Sequence, residues 1–537
     1  MDAQAHQGRG DDAGQRCRGA SRRSVRHDGA AERSDFREAR HHAGDGAPER
    51  AVQDADLAGA SGRHHRETQA LAASGSARRR SAERLARHRR RRGRRLEEGG
   101  RAVRATVARV VLISLDGFAS FYWTDPRVRM PTLRRLAERG VVARRMECVF
   151  PSTTWPTHAS MVTGVRPDRH GVVANYILNR ESGRAEDLTG DPIYDADRLL
   201  RAPTVYDVAH AAGRRTAAID WPCTRRAASL DFNLPFFKDQ RVFESATHPD
   251  VWRELGALGL PIDRLGEWSQ LPKRFLRDDV VADVAAHVLH RHAPDLLLVH
   301  FLCADSFQHL HGPRSPEAYW ALEYVDHCVS RVLAALPAGA LERDTAVLVV
   351  SDHGFLRSDQ EIRVNVRLRQ LGLMKVDDEG RITESRARFV TNHGAGYLYV
   401  LDPADRPSLV DNLKSALAGL EGVTGVWGVS DYAGLGLPLP DENPMIGELV
   451  LEAAGGYAFG DEARGDDHLG PPRYRGNHGH RPSHPDNGAF FLAAGAGIRR
   501  GAELGAIMSR DVAPSVAHLL AVKLGDVEGR LVADALV

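Results

Sequence analysis

The sequence predicts an α/β fold built on a doubly wound, mostly parallel sheet with helices on both faces. Residues 107–115, VARVVLISL, form a continuous β-branched and apolar run, as expected for a strand buried on both faces of a parallel sheet. Residues 130–140, MPTLRRLAERG, are typical of an amphipathic helix that ends at a glycine. Similar strand and helix patterns then alternate along the chain, which indicates helical crossover connections between parallel strands.

The remaining elements are predicted from the same two patterns. Apolar runs indicate strands at residues 215–219, 295–303, 346–350 and 489–493. Amphipathic stretches indicate helices at residues 278–292, 316–336 and 511–520. Residues 355–472 are more broken and carry Gly and Pro clusters, which predicts a smaller α+β insertion or cap within a main domain of residues 106–537.

Residues 1–105 differ from the rest of the chain in composition. Residues 1–100 hold 23 Arg, no Lys, 15 Asp and Glu, and only eight large apolar side chains. So few apolar groups cannot bury enough surface to offset chain entropy, which predicts a disordered Arg-rich tail. Two other interpretations stay open. The arginine runs suit phosphate contacts on nucleic acid, and the composition suits translation from a start codon assigned too far upstream.

The composition argues against several classes of protein. No run approaches the ~18–20 apolar residues of a membrane span, and the N-terminus lacks the apolar core of a secretory signal. The five cysteines include no CxxC pair, so neither a disulfide scaffold nor a zinc ribbon is indicated. A cytoplasmic location is the expectation, and a periplasmic or secreted one stays open if the true N-terminus lies elsewhere. No pattern predicts an oligomeric state.

Acidic and imidazole side chains follow three of the predicted strands. The run VVLISL ends in Asp116, LLLVHFLCA ends in Asp305, and AVLVVS ends in Asp352 and His353. In doubly wound sheets the functional site lies outside the carboxyl ends of the strands, so these groups are expected to converge. His309, four residues after Asp305, and His478 in GNHG could join them. Each residue alone is explained by capping or exposure, but the set predicts a site for Zn²⁺, Mn²⁺ or another divalent ion.

Two threonines precede another predicted helix. The segment FPSTTWPTH, residues 150–158, places Thr153 and Thr154 just before a helix that starts near Pro156. A hydroxyl there lies at the positive end of the helix dipole, and it becomes a good nucleophile only when a base or a metal lowers its pKa. On this segment alone, capping of the helix is the simpler interpretation.

The order of these motifs resembles one enzyme superfamily. LDG, FPSTTWPTH, HGVVAN, DSFQH, SDHG and GNHG follow one another as in the alkaline phosphatase superfamily. Within it, the chain resembles the nucleotide pyrophosphatase/phosphodiesterase (type I phosphodiesterase) family, particularly its bacterial members. The resemblance extends from about Val107 to Val532.

The resemblance implies an enzyme with two divalent metal ions, expected to be Zn²⁺, that hydrolyses phosphodiester or phosphoanhydride bonds. Thr154 would be the nucleophile of a covalent phosphothreonine intermediate, and Asn175 would hydrogen-bond a non-bridging phosphoryl oxygen. One ion would be held by Asp116, Asp352, His353 and Thr154, and the other by Asp305, His309 and His478.

The chain departs from the family pattern at two positions. Many relatives carry Lys just before the nucleophile and Asn three residues after it, where this chain has Thr153 and Thr157. The loss of the lysine removes a cation beside the nucleophile. A second NHG tripeptide makes His393 an alternative to His478, which is preferred because it follows the expected order of motifs.

The resemblance also suggests a substrate class. Trp155 stands where relatives carry a Phe that stacks on a nucleobase, and Phe237 roughly matches a Tyr on the opposite side of the base, although core packing is an alternative for both. The expected partner is a small phosphodiester or a nucleotide, with no stable nucleic-acid partner. Phosphonoacetate hydrolase-like or phosphomonoesterase activity is the alternative, because such relatives share the metal ligands. A sulfatase is disfavoured, since Thr154-Trp155-Pro156-Thr157-His158 lacks the required Cys or Ser and the Arg.

Overall fold

An eight-stranded sheet forms the centre of the computed structural model, which describes residues 107–190 and 194–537. Seven of its strands run in the same direction, and Phe491–Gly495 runs antiparallel to both of its neighbours. In spatial order the strands are Ala502–Met508, Gly140–Glu147, Phe491–Gly495, Thr345–Val350, Arg109–Leu115, Leu296–Phe301, Thr216–Ile219 and Phe232–Leu234. The predicted α/β class with a mostly parallel sheet is confirmed.

Both faces of this sheet are covered by helices. Alternate residues of the strand Arg109–Leu115 enter two different hydrophobic cores, as the two-residue period of a strand requires. The helices Arg274–Arg291 and Pro316–Ala334 contribute to one core. The helices Thr154–Thr163 and Val512–Leu519 contribute to the other. A strand buried on both sides reads as an unbroken apolar run, which explains why the sequence located the central strands.

The remaining helices connect or flank these elements. Further α-helices are Pro131–Ala137, Pro167–His170, Ala196–Leu199, Val205–Ala211, Gln240–Ala246, Pro249–Ala257, Cys303–His311, Ala340–Arg343, Val364–Gln370, Arg406–Ala418 and Tyr432–Leu435. Short 3₁₀ helices are Ser120–Trp123, Ile262–Arg264, Glu267–Ser269, Leu271–Lys273, Pro403–Asp405, Val429–Asp431, Pro485–Asn487, Ser509–Asp511 and Ala533–Ala535.

Several smaller sheets lie outside the central one, and most of their strands fall between residues 355 and 477. An antiparallel sheet has the spatial order Ala387–Asn392, Ala395–Val400, Leu449–Ala453 and Val423–Gly428. The strand Leu356–Ile362 pairs with Gly456–Phe459, Leu469–Gly470 and Gly476–Asn477. Two hairpins complete the strands, Tyr176–Asn179 with Arg184–Asp187 and Met374–Val376 with Ile382–Ser385. These pairings place His393 in a hairpin turn and His478 just after a short strand.

Some predictions differ from the observed elements or lie outside them. The predicted tail, residues 1–105, lies outside the described residues. The strands Gly140–Glu147, Phe232–Leu234 and Ala502–Met508 were not predicted, and each lies at or near an edge of the sheet. Within residues 107–190 and 194–537, no helix combines the length and the apolar character needed to cross a bilayer.

A buried ion pair links the helix Arg274–Arg291 to the sheet, and removing one partner is expected to be costly. Arg277 and Asp220 have side chains that are 0% and 1% exposed, and Arg277 Nε donates to Asp220 Oδ2 over 2.8 Å. Asp220→Ala would leave the guanidinium buried without its carboxylate, so we expect the free energy of unfolding in urea to fall by about 3–5 kcal/mol. Glu384→Ala, which breaks an exposed pair with Lys375, should cost less than about 1 kcal/mol. Equal losses in the two variants would contradict this account.

Candidate active site

Three adjacent strands of the central sheet deliver the predicted acidic residues to one place. Arg109–Leu115 lies between Leu296–Phe301 and Thr345–Val350 and runs parallel to both. Asp116 directly follows the first of these strands, while Asp305 and Asp352 follow the other two within four residues. All three residues are at most 4% exposed. The predicted convergence at the carboxyl edge of the sheet is therefore observed.

The first group of candidate ligands combines two carboxylates and an imidazole. His353 Nε2 lies 3.3 Å from Asp116 Oδ1 and 3.2 Å from Asp352 Oδ2. The other oxygen of Asp352 accepts the backbone N–H of Gly117 over 3.0 Å, which fixes the carboxylate. Asp116, Asp352 and His353 each offer a ligand atom within 4.8 Å of the others, a spacing that suits one divalent ion.

The second group adjoins the first. The helix Cys303–His311 places Asp305 and His309 four residues apart on one face, with Asp305 Oδ1 3.2 Å from His309 Nε2. His478 Nε2 lies 3.8 Å from the same oxygen. The rings of His478 and His353 stack with centroids 3.6 Å apart, so the two groups share a boundary.

Each of these three histidines is oriented by a backbone carbonyl. The Nδ1 atoms of His309, His353 and His478 lie 2.9–3.1 Å from the carbonyl oxygens of Gly476, Gly354 and Ser152 respectively. Because a carbonyl only accepts, each Nδ1 carries the proton and each Nε2 keeps a free lone pair. Such second partners are typical of histidines that bind metal ions.

The buried polar atoms of the site also fit cations. Among the described residues, Asp116 Oδ1, Asp305 Oδ1, Asp352 Oδ2 and His353 Nε2 are buried without a hydrogen-bond partner. Burial, together with the carboxylates of Asp352 and Asp305, raises the pKa of Asp116 well above its usual range. Burial likewise lowers the pKa of His478, which favours the neutral, ligating form. Uncompensated carboxylates at this depth are costly, and divalent ions would offset that cost.

His393, the alternative ligand, also reaches this cluster. Its ring centroid lies 5.0 Å from that of His309 and 4.8 Å from that of His478, and the three rings offer nitrogen atoms within 4.8 Å of one another. Its backbone has a positive φ of 66° in the hairpin turn. Of the two alternatives, His478 has a carbonyl partner on Nδ1 and an Nε2 atom 3.8 Å from Asp305 Oδ1, so the geometry favours His478 over His393 as the ligand.

The two threonines have different surroundings. Thr154 is the first residue of the helix Thr154–Thr163 and lines a cavity of 410 Å³ that also exposes Asp116 and Asp305. Thr153 is the N-cap residue, but its hydroxyl caps nothing and is buried without a partner among the described residues. Capping of this helix by a side chain therefore does not explain why two threonines stand at its start. Asn175 lines the same cavity, and its Oδ1 accepts the backbone N–H of Trp155 over 2.8 Å, which leaves its amide nitrogen as a donor.

The two predicted aromatic residues, Trp155 and Phe237, lie in different surroundings. Trp155 lines the cavity as expected, with its ring edge-to-face against Phe236 at 5.0 Å. Phe236 also lines the cavity, whereas Phe237 packs into the core against Phe243. Trp155 and Phe236 also belong to a buried apolar cluster, so the stacking roles of the predicted pair, Trp155 and Phe237, stay predictions.

Sequence reasoning missed His300, a polar residue inside an otherwise apolar strand. It is fully buried, with Nε2 3.1 Å from Asp116 Oδ2 and Nδ1 3.0 Å from the carbonyl oxygen of Asp220. Because Nδ1 donates to that carbonyl, Nε2 has a lone pair, and it accepts a hydrogen bond from Asp116 when that carboxyl, whose pKa burial raises, carries its proton. His300 thus lies against one oxygen of Asp116, while the other faces His353. The only signal in the sequence that could have identified it is a histidine inside an apolar strand, between Val299 and Phe301.

Replacing His300 tests this positioning role. His300→Phe should weaken metal binding about 10–100-fold, because a freed Asp116 carboxylate must be ordered when an ion binds. Competition with a chromogenic chelator would measure the affinity, with His290→Phe, an exposed position on the helix Arg274–Arg291, as control. Unchanged affinity in His300→Phe would contradict the role.

Comparison with known proteins shows which family the chain belongs to. The family model of type I phosphodiesterase / nucleotide pyrophosphatase matches residues 110–481. Human ectonucleotide pyrophosphatase/phosphodiesterase family member 1 is 26% identical over 244 residues, which are 45% of this chain and 23% of that protein. An uncharacterised pyrophosphatase/phosphodiesterase of Schizosaccharomyces pombe is 26% identical over 247 residues, 46% of this chain and 44% of that protein. The chain therefore spans less than half the length of these curated relatives.

Solved structures show the same fold. The structure of mouse ectonucleotide pyrophosphatase/phosphodiesterase 5 has a TM-score of 0.59 at 21% identity and covers 80% of this chain and 100% of that chain. Its human counterpart has a TM-score of 0.57 at 20% identity, covering 80% and 99%. These relatives are eukaryotic, so the resemblance to bacterial members stays a prediction. Because the family model covers more than half of the sequence, the chain belongs to the type I phosphodiesterase / nucleotide pyrophosphatase family of enzymes.

Proposed function

We propose that this chain is a metal-dependent phosphodiesterase or nucleotide pyrophosphatase that uses Thr154 as its nucleophile. The observation that carries the proposal is the shared cavity, in which Thr154 faces two adjoining groups of metal-ligand type. A phosphoryl group placed there would meet the hydroxyl and both ligand groups at once. That is the arrangement an in-line displacement requires.

Two divalent ions fit the donor set. Asp116, Asp352 and His353, with Thr154, would hold one ion, and Asp305, His309 and His478 would hold the other. Bound there, such ions would neutralise the attacking and leaving oxygens and would lower the pKa of the Thr154 hydroxyl. Oxygen and imidazole ligands without thiolates suit Zn²⁺, which is the ion we propose.

The residues of the chain itself bind and orient the phosphoryl group. Thr154 lies at the N-terminus of the ten-residue helix Thr154–Thr163, where the dipole favours an anion. The free amide nitrogen of Asn175 would donate to a non-bridging oxygen, whose charge grows in the transition state. Thr154 would form a bond to phosphorus as the bond to the leaving oxygen breaks, and water would then cleave the phosphothreonine ester.

One relative supports both the nucleophile and the substrate class. The mouse member 5 structure was also solved for an inactive threonine-to-alanine variant in complex with AMP. A nucleotide substrate suits the present cavity, because the lining that includes Thr154 also includes the aromatic residues Trp155 and Phe236. A small phosphodiester or nucleotide is therefore the proposed partner.

A substrate panel on zinc-loaded protein tests the proposal. We expect hydrolysis of p-nitrophenyl thymidine monophosphate and bis-p-nitrophenyl phosphate to exceed that of p-nitrophenyl phosphate. Preferred release of phosphate from p-nitrophenyl phosphate would indicate a phosphomonoesterase, and cleavage of phosphonoacetate alone would indicate a carbon–phosphorus hydrolase. No turnover of any of the four would overturn the proposed function.

A further inference from the structure

The charged residues around the cavity are unevenly distributed. Of the residues that line it, the only carboxylates are Asp116 and Asp305, and both belong to the proposed metal sites. The other charged lining groups are two cations, Lys238 and Arg274. Once divalent ions offset the carboxylates, the remaining wall is positive.

We propose that Lys238 and Arg274 form a subsite for a second anionic group of the substrate, beyond the phosphoryl group that is cleaved. This inference rests on the proposed function and specifies its substrate class. The chemistry recognised is a carboxylate or a further phosphate carried on the same molecule. Tyr176 and Gln270 also line the cavity and bring a hydroxyl and an amide group to it, whereas the Thr189 hydroxyl donates to Asp187.

Lys238 lines the cavity and forms a partly exposed ion pair with Asp187. Its Nζ lies 2.8 Å from Asp187 Oδ2 and 5.6 Å from the centre of the Tyr176 ring. The two side chains of the ion pair are 31% and 35% exposed, so water screens their attraction and the pair is weak. Asp187, which also binds Thr189 through its other oxygen, holds the ammonium group at the wall without consuming all three of its donors.

Arg274 is more rigid. It is 8% exposed, with Nε donating to the carbonyl oxygen of Ser269 and Nη1 donating to Asp305 Oδ2 over 3.3 Å and to Ser306 Oγ over 3.2 Å. Nη2 takes part in none of these bonds. A guanidinium held in this way presents its remaining N–H groups in a fixed geometry, which suits the planar or tetrahedral oxygens of an anion.

These two cations matter because the chain has Thr153, and not a lysine, just before the proposed nucleophile. The lysine that many relatives carry beside the nucleophile is absent there, and Thr153 does not line the cavity. Positive charge is supplied instead by Lys238, which follows Phe236 and Phe237 in sequence, and by Arg274 on the helix Arg274–Arg291. In this chain the cationic side chains that line the cavity are therefore Lys238 and Arg274, and the position before Thr154 supplies none.

The test compares substrates with and without a second anion. ATP carries additional phosphates, phosphonoacetate carries a carboxylate, and bis-p-nitrophenyl phosphate carries neither. Lys238→Met should lower kcat/KM for ATP or phosphonoacetate by about 10-fold or more relative to kcat/KM for bis-p-nitrophenyl phosphate, as expected for a lost charged hydrogen bond. The matched control is Lys273→Met, because Lys273 forms a similar ion pair with Glu267 but does not line the cavity.

A binding measurement separates this inference from the proposed function. Calorimetry on Thr154→Ala protein, with and without Lys238→Met, should show the same selective loss of affinity without turnover. A loss confined to ATP identifies the second group as phosphate, and one confined to phosphonoacetate identifies it as carboxylate. Equal losses for all three compounds, or no loss, would overturn the subsite while the proposed function stands. Absence of turnover in the wild-type protein would overturn the proposed function, and calorimetry would still test the subsite.

Discussion

Replacing Thr154 with alanine is expected to lower kcat by about 10³-fold or more while leaving the protein folded. The side chain is 7% exposed and lines the cavity, and six other side chains remain to hold ions. Without the hydroxyl no covalent bond to phosphorus can form at this position. Turnover of p-nitrophenyl thymidine monophosphate measures the loss, and circular dichroism with metal analysis checks that fold and ion content are retained.

Two neighbouring variants make this prediction specific. Thr154→Ser keeps a hydroxyl on the same atom position and should keep much of the activity. Thr153→Ala should have a modest effect, because that hydroxyl is buried away from the cavity. Dependence on Thr153 instead would mean that the nucleophile is assigned one residue too late. Full activity in both alanine variants would mean direct attack by water, and acid quench would then trap no labelled phosphothreonine at position 154.

The central strands could be predicted because burial on both faces leaves a distinct pattern. Arg109–Leu115, Leu296–Phe301 and Thr345–Val350 are almost entirely apolar. Strands near an edge of the sheet, such as Gly140–Glu147, carry arginines and are partly exposed, so their pattern is mixed. Strand direction could not be predicted either, since Phe491–Gly495 is as apolar as the central parallel strands and yet runs antiparallel to both of its neighbours.

The candidate site was predictable where topology alone determines position. Asp116, Asp305 and Asp352 converge because three parallel strands end at the same edge, whatever their side-chain packing. Phe236, His300 and Lys238 depend on which side of a segment faces the cavity, and a local pattern does not specify this. The ligands contributed by distant turns, His393 and His478, were distinguishable only once both rings were placed beside His309.

Removing divalent ions with a chelator is expected to abolish turnover, and adding Zn²⁺ should restore it. The reason is electrostatic, since Asp116, Asp305 and Asp352 are buried together and leave oxygens without hydrogen-bond partners among the described residues. Such a site cannot also bind a phosphoryl anion unless cations offset its charge. Full activity in protein shown by elemental analysis to lack divalent metal would contradict the proposed function.

Asp305→Ala is expected to halve the bound metal per chain and to abolish turnover. Asp305 Oδ1 faces His309 and His478, whereas the pairing of His353 with Asp116 and Asp352 does not involve this carboxylate. One ligand group should therefore be lost while the other persists, and the remaining ion alone leaves one of the two reacting oxygens uncompensated. Asp359→Ala, which removes an exposed carboxylate paired with Arg357, is the control and should change neither quantity. Loss of all metal from Asp305→Ala would mean that the two groups bind ions only together, since the stacked rings of His353 and His478 connect them.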